Sequence, residues 1–304
     1  GTGAPERFDA GTSTLSMSGL VSFTPGNARY YNFSYGTGGS SDLITTGTAI
    51  ILGNLSASGV GGPGCLNGGT FNVSGDMSGN NIAACGSGGS LINVVGAGTQ
   101  TMTATTMWGI GNVTVNKPSG VLNLVGTLSI NGTWTYTKGR ISAGSSTLVF
   151  SGTSTFVGGS SELYNNVSFT SSGSSTQTVT GTVNVTNLDF TGIHGTQVDS
   201  GTINVKGNLT TSAGGDGNTG STSIVLNGLG DQSVTSTAGY LPGGNFSINK
   251  TAGTVSFSGT LYLRGTSFTW TAGKVDAGTS TIYFASSGLT FTPGTNVTYY
   301  NISS

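Results

Sequence analysis

Ten carboxylates, one histidine and two cysteines make up the acid–base and metal-binding stock of these 304 residues. Glycoside hydrolysis uses two carboxyl groups about 5 to 10 Å apart. Glu6, Asp9, Asp42, Asp76, Glu162, Asp189, Asp199, Asp216, Asp231 and Asp276 include no Asp-Asp, Asp-x-Asp or Glu-x-Asp pair. Asp199, Asp216 and Asp231 follow one another at nearly even intervals, so stacked turns could gather them or leave them in three separate turns. His194 stands in TGIHGTQ with no nucleophile-elbow pattern beside it, and reads as an exposed turn residue. GGDGN (214–218) has the look of a calcium-binding nonapeptide in a single copy, which reads as a loop. GDMSGNN (75–81) lacks the other acids of an EF-hand. No His or Cys cluster has metal-ligand spacing. The sequence therefore assigns no catalytic residue, no cofactor and no metal.

The elements that would position any site are announced by composition. Gly, Ser, Thr and Asn together make up more than half of the chain, while charged residues are 6%. A helical enzyme needs Ala, Leu, Glu and Lys in quantity, and classical disorder goes with high charge and few aromatic or β-branched residues. Neither fits. The net charge is −1, with basic residues scattered singly, so nothing draws the chain to nucleic acid or an anionic membrane. No apolar run approaches the roughly 18 to 20 residues of a spanning helix. The chain begins at Gly1 without a signal-like segment; a removed leader or a window of a longer chain would each explain this.

Internal repeats decide the architecture. GNVTVNKPSGVLNLVGTLSING (111–132) aligns without gaps on GNFSINKTAGTVSFSGTLYLRG (244–265), with nine of 22 positions identical and an offset of 133. TKGRISAGSSTLVFSG (137–152) matches TAGKVDAGTSTIYFAS (271–286), and 7–34 resembles 274–303. Long repeats then run over about 9–141, 142–275 and, in part, 276–304. Smaller units recur inside them, such as GTLSING (126–132), GTINVKG (201–207) and GTLYLRG (259–265), with Gln-Thr/Ser steps at Gln100, Gln177 and Gln232.

Val113, Val115, Leu122, Leu124, Leu128 and Ile130 alternate with polar residues, the period of a strand. Phe246, Ile248, Val255, Phe257, Leu261 and Leu263 repeat the pattern. Such short strands bury a core only when copies stack. The fold expected is an all-β solenoid, a right-handed parallel β-helix of roughly 20 residues per turn, forming one elongated body over 1–304. Tandem β-sandwich domains are the alternative. Asn112 and Asn116, with Asn245 and Asn249 in the later copy, are candidates for side-chain ladders between turns or for turn positions.

AGTSTL (10–15), AGSSTLVFSG (143–152), the Gln-Thr turns, and NVTVNKPSG (112–120) with NFSINKTAG (245–253) carry a resemblance. The chain resembles the β-strand-repeat regions of large secreted bacterial surface proteins, adhesins of the filamentous haemagglutinin and autotransporter kind. The resemblance is one of class and supplies no catalytic residues. It implies an extracellular or cell-surface, elongated, structural or adhesive protein.

In that setting Cys65 and Cys85, about one turn apart, are expected to form a disulfide, with free buried thiols as the alternative. The bond would staple a Gly-rich insertion at 58–88 that departs from the repeat, and would contribute roughly 3 kcal/mol in the chain-entropy picture. Twelve Asn-x-Ser/Thr sequons are candidate glycosylation sites: Asn32, Asn54, Asn72, Asn112, Asn131, Asn166, Asn184, Asn208, Asn245, Asn249, Asn296 and Asn301. Strands of the form Asn-apolar-Thr would also create them.

The function expected is structural: a stalk or a head-to-tail filament subunit on a microbial surface, whose partners are copies of itself. Surface glycans are the partners in the rival reading, an adhesin or carbohydrate-binding module. Trp134 and Trp270, in GTWTYT and SFTWT, are the candidate glycan contacts. Two lesser rivals are a polysaccharide-acting β-helix enzyme and an ice-binding protein. The latter would use pairs such as Thr101 and Thr103 or Thr290 and Thr292.

Overall fold

A computed structural model of the chain describes residues 11–26, 28–38, 42–60, 64–82, 88–191, 193–194, 197–212, 220–295 and 297–304. Among the described residues there is no α-helix; strands pair in parallel and stack turn upon turn as a β-solenoid. The chain divides into two compact units, Gly1–Thr147 and Leu148–Ser304.

In the first unit one face is built by Thr14–Ser18, Asn32–Gly38, Leu55–Val60, Met77–Asn80 and Gln100–Ile110. Leu15 pairs Phe33, Phe33 pairs Leu55, and Leu55 pairs Met77. The step from Phe33 to Leu55 equals the step from Leu55 to Met77, and both are close to the turn length read from the sequence. A second face stacks Ala49, Phe71, Ile92, Val113 and Trp134 in one inward column. Every apolar residue in that column is fully or almost fully buried, because alternate side chains of a strand share one face.

The second unit repeats the arrangement. Val183, Ile203, Ile224, Phe246 and Phe268 form one inward column, and Val185, Val205, Leu226 and Ile248 another. Phe246 and Phe268 stack at 5.7 Å between ring centroids. All twelve residues expected in the core from the period-two pattern are buried. Each such side chain contributes about 1.5 to 3 kcal/mol of burial, and no single turn could bury them alone.

The long strands Asn112–Ile130 and Phe246–Leu263 turn corners rather than run flat. Gly126 and Gly259, the first residues of the Gly-Thr motif, sit there at φ of 80° and 81°. A Cβ on Gly126 would lie 2.0 Å from the Ala104 carbonyl oxygen of the turn below, so the motif needs glycine for both angle and space.

The Gly-rich segment 58–88 takes part in the stack where it is described. Leu66–Asn67 pairs with Leu43–Thr45, and Thr70–Val73 lies in register between the strands before and after it. Phe71 and Val73 are fully buried and Met77 nearly so. A few apolar residues at the right parity suffice for a turn whose neighbours supply the rest of the core, so the expected insertion is, over 66–80, ordinary solenoid.

Candidate functional site

Polar side chains in this fold bond mainly from one turn to the next. Asn32 Oδ1 accepts from the Asn54 N–H at 2.8 Å, Asn54 Oδ1 from Asp76, and Asp76 Oδ1 from Thr101. Asn187, Asn208 and Ser233 repeat the device in the second unit. Side-chain amides also form ladders: Asn93 donates to Asn72 at 3.0 Å, Asn187 to Asn166 at 2.9 Å, and Asn204 to Asn184 at 3.0 Å. At Asn112, a candidate for a ladder or a turn position, the side-chain amide instead bonds backbone: it donates to Gly89 O and accepts from Thr133 N–H.

Two clusters bury a charge. Val73 pairs Val94 and Met77 pairs Met102, so the corner from Val94 to Met102 is longer than the corner from Val73 to Met77 beside it. Gln100 closes that enlarged corner: its Oε1 accepts from Gly96 N–H at 2.9 Å, and its amide donates to the Val73 and Gly75 carbonyls. Lys117 then arrives from the following turn. Its ammonium donates to Gly96 O at 2.7 Å, Gly98 O at 2.9 Å and Gln100 Oε1 at 2.6 Å. Gln232 and Lys250 reproduce this bond for bond with Gly228 and Gly230. Both lysines are 1% exposed. Burial holds each ammonium below the usual lysine range, and at Lys250 the Asp231 carboxylate partly offsets this. Gln177 is the third copy of the glutamine; no lysine follows it at that spacing, and among the described residues its Oε1 has no hydrogen-bond partner.

The candidate sites read from the sequence fall as follows. Trp134 is fully buried opposite Val113, so it is unavailable to a glycan. Trp270 pairs Ile248 on the inward side and is only half-buried. Asp199 Oδ1 accepts from Ser221 N–H and Asp231 Oδ1 from Thr254 N–H, which makes both turn caps; Asp216 lies outside the described residues. Among the described residues no three of His, Cys, Asp and Glu come together. Thr101 and Thr103 meet Asn123 and Val125 on the next turn, which interrupts any threonine array there. Cys65 is 7% exposed, with its N–H donating to Asp42 at 3.2 Å; Cys85 and the sequon Asn296 lie outside the described residues.

One outward feature escaped the sequence reading. Tyr262 alternates with buried Leu261 and Leu263, and so points away from the core. Tyr283 pairs it on the next turn, and Tyr240 bridges to it from the turn before. Their ring centroids are 5.3 and 5.4 Å apart, at interplanar angles of 63° and 55°. The Arg264 guanidinium carbon lies 3.5 Å from the Tyr240 ring centroid. Thr260, Thr281 and Asn301 stack in a parallel row two residues away. All three tyrosines are half-buried, and none of their hydroxyls has a hydrogen bond among the described residues.

No family model, no curated protein and no solved structure matches this chain. The site therefore rests on its geometry: a strip of aromatic faces and phenol oxygens with a cation at one end. Its signal in the sequence is the outward parity of Tyr262 and Tyr283, but only the register between turns brings them together.

Proposed function

We propose that this chain is an extracellular structural β-solenoid, a stalk or a head-to-tail filament subunit on a microbial surface of the adhesin and autotransporter kind. The observation that carries the reading is the column from Asn32 through Asn54 and Asp76 to Thr101. There each turn's side-chain oxygen binds the next turn's backbone N–H. A chain whose polar groups are committed to joining turn to turn suits load-bearing more than turnover. A disulfide between Cys65 and Cys85 belongs to this proposal: the residues are about one turn apart and no third thiol competes. Its partners are further copies of itself.

Negative-stain electron microscopy and sedimentation of the purified chain over a concentration series test the filament form. Fibres that lengthen with concentration support it, and a strictly monomeric species at every concentration removes it. Protease shaving of intact source cells tests the location, which fails if the chain is released only after lysis.

A further inference from the structure

We propose that the Tyr240–Tyr262–Tyr283 strip with Arg264 is a binding surface for a linear, carboxylate-bearing polysaccharide. The proposal does not depend on the structural role above.

The fold does not require these side chains. The first long repeat has the same backbone course, and there Ser129 and Asn131 occupy the places of Tyr262 and Arg264, one long repeat earlier. Gly109 pairs Ser129 where Tyr240 bridges to Tyr262. In the sequence TLVF (147–150), Val149 stands where TIYF has Tyr283. The core positions beside them are apolar in both copies, so the solenoid is built equally well without aromatics outside. Three tyrosines and an arginine gathered on one outer patch are an addition to the scaffold.

The chemistry of the patch selects its ligand. Aromatic rings offer faces and edges to the C–H faces of pyranose rings, and phenol oxygens offer donors and acceptors to sugar hydroxyls. The tyrosines recur once per turn, so their spacing of 5.3 to 5.4 Å forms a line rather than a pocket, which fits a linear polymer and not a compact solute. The neighbouring row of Thr260, Thr281 and Asn301 adds neutral hydroxyl and amide groups along the same line. A flat apolar face of the kind a protein partner needs is missing from this patch, because the row beside the rings is polar. Arg264 fixes the charge of the ligand. A guanidinium is a planar fork of donors whose geometry suits carboxylate, in a chain whose net charge of −1 offers no general attraction for polyanions.

The test is affinity electrophoresis of the full chain through gels containing polygalacturonate or a neutral linear β-glucan. Tyr262→Ser and Arg264→Asn restore the residues of the first repeat, so the fold should tolerate them, and circular dichroism checks it. Wild type should be retarded by polygalacturonate and much less by the glucan. Tyr262→Ser should weaken binding about 3- to 10-fold, with Tyr283→Val behaving alike. Arg264→Asn should abolish the preference for the acidic polymer. The proposal is overturned if polygalacturonate does not retard the wild type. It is equally overturned if folded Tyr262→Ser and Tyr283→Val bind as wild type does, or if Arg264→Asn keeps its preference.

Discussion

The Lys117 ammonium donates to Gln100 Oε1 at 2.6 Å, and one long repeat later Lys250 donates to Gln232 Oε1 at 2.8 Å. The glutamine holds both the enlarged corner and the charge, so losing it should cost more than losing the lysine. Gln100→Leu leaves a buried ammonium short of an acceptor and should destabilise by about 3 to 5 kcal/mol. Lys117→Met leaves only neutral carbonyls unsatisfied and should cost about 1 to 3 kcal/mol. Urea unfolding of the two variants measures the difference. Equal losses would mean that the amide does not hold the charge.

The same lysines set the response to alkali. Burial lowers both below the usual 10.5, while Tyr30, Tyr35 and Tyr299 are raised above 10.0 by burial. Between the lowered lysine values and 10.5 the unfolded chain binds more protons than the folded one, so stability rises with pH in that window. Above the ordinary tyrosine value the unfolded chain loses phenol protons first, and stability falls. Thermal midpoints should climb as pH rises through the lowered lysine range and then drop once the ordinary tyrosine value of about 10 is passed. A Lys117→Met, Lys250→Met double variant should lose the climb and keep the drop.

How far the sequence reveals all this depends on parity and register. Alternation is a local property, so Val113, Val115, Leu122 and their counterparts could be placed inside from the string alone. Lys117 shares the parity of Val113 and Val115, a signal that it points inward too. What parity does not reveal is the acceptor that meets it, because Gln100 reaches it only through the register between turns. Tyrosine stacking depends on register in the same way. Trp134 has the aromatic character of a glycan contact, and only the register that sets it opposite Val113 shows that it faces inward.

Trp108 rests directly on Gly79. A Cβ there would lie 2.1 Å from two ring carbons of the fully buried indole. Gly79→Ala should therefore cost about 1 to 3 kcal/mol through overpacking. Gly98→Ala, with nothing within 4 Å of its Cβ, should change stability by less than about 0.5 kcal/mol. Differential scanning calorimetry of the pair suffices, and similar melting points would mean that the indole shifts freely.

The sequons differ in what their amide nitrogens do. Asn184 Nδ2 donates to Ser160 O at 2.7 Å and Glu162 O at 3.2 Å, whereas Asn54 and Asn249 are exposed. Secreted from a glycosylating host, the folded protein should carry glycans at Asn54 and Asn249 and none at Asn184. Site mapping by mass spectrometry reads this out, and a glycan on Asn184 in the folded fraction contradicts it.

A Cys65–Cys85 bond should leave no reactive thiol in the unfolded, unreduced chain, and reduction should expose two. Reduction should lower stability by roughly 3 kcal/mol. Two thiols titrating before any reductant is added would refute the bond.

The three tryptophans are divided between the units. Trp108 and Trp134 fall in Gly1–Thr147, and Trp270 falls in Leu148–Ser304. Their surroundings differ as well: the first two indoles are wholly buried, and the third is partly exposed. Each unit thus contains its own fluorophore. A Trp270→Phe chain would show tryptophan emission only from the first unit, and a Trp108→Phe, Trp134→Phe chain only from the second. Whether the units melt together or one after the other can be read from emission alone, without attaching a dye.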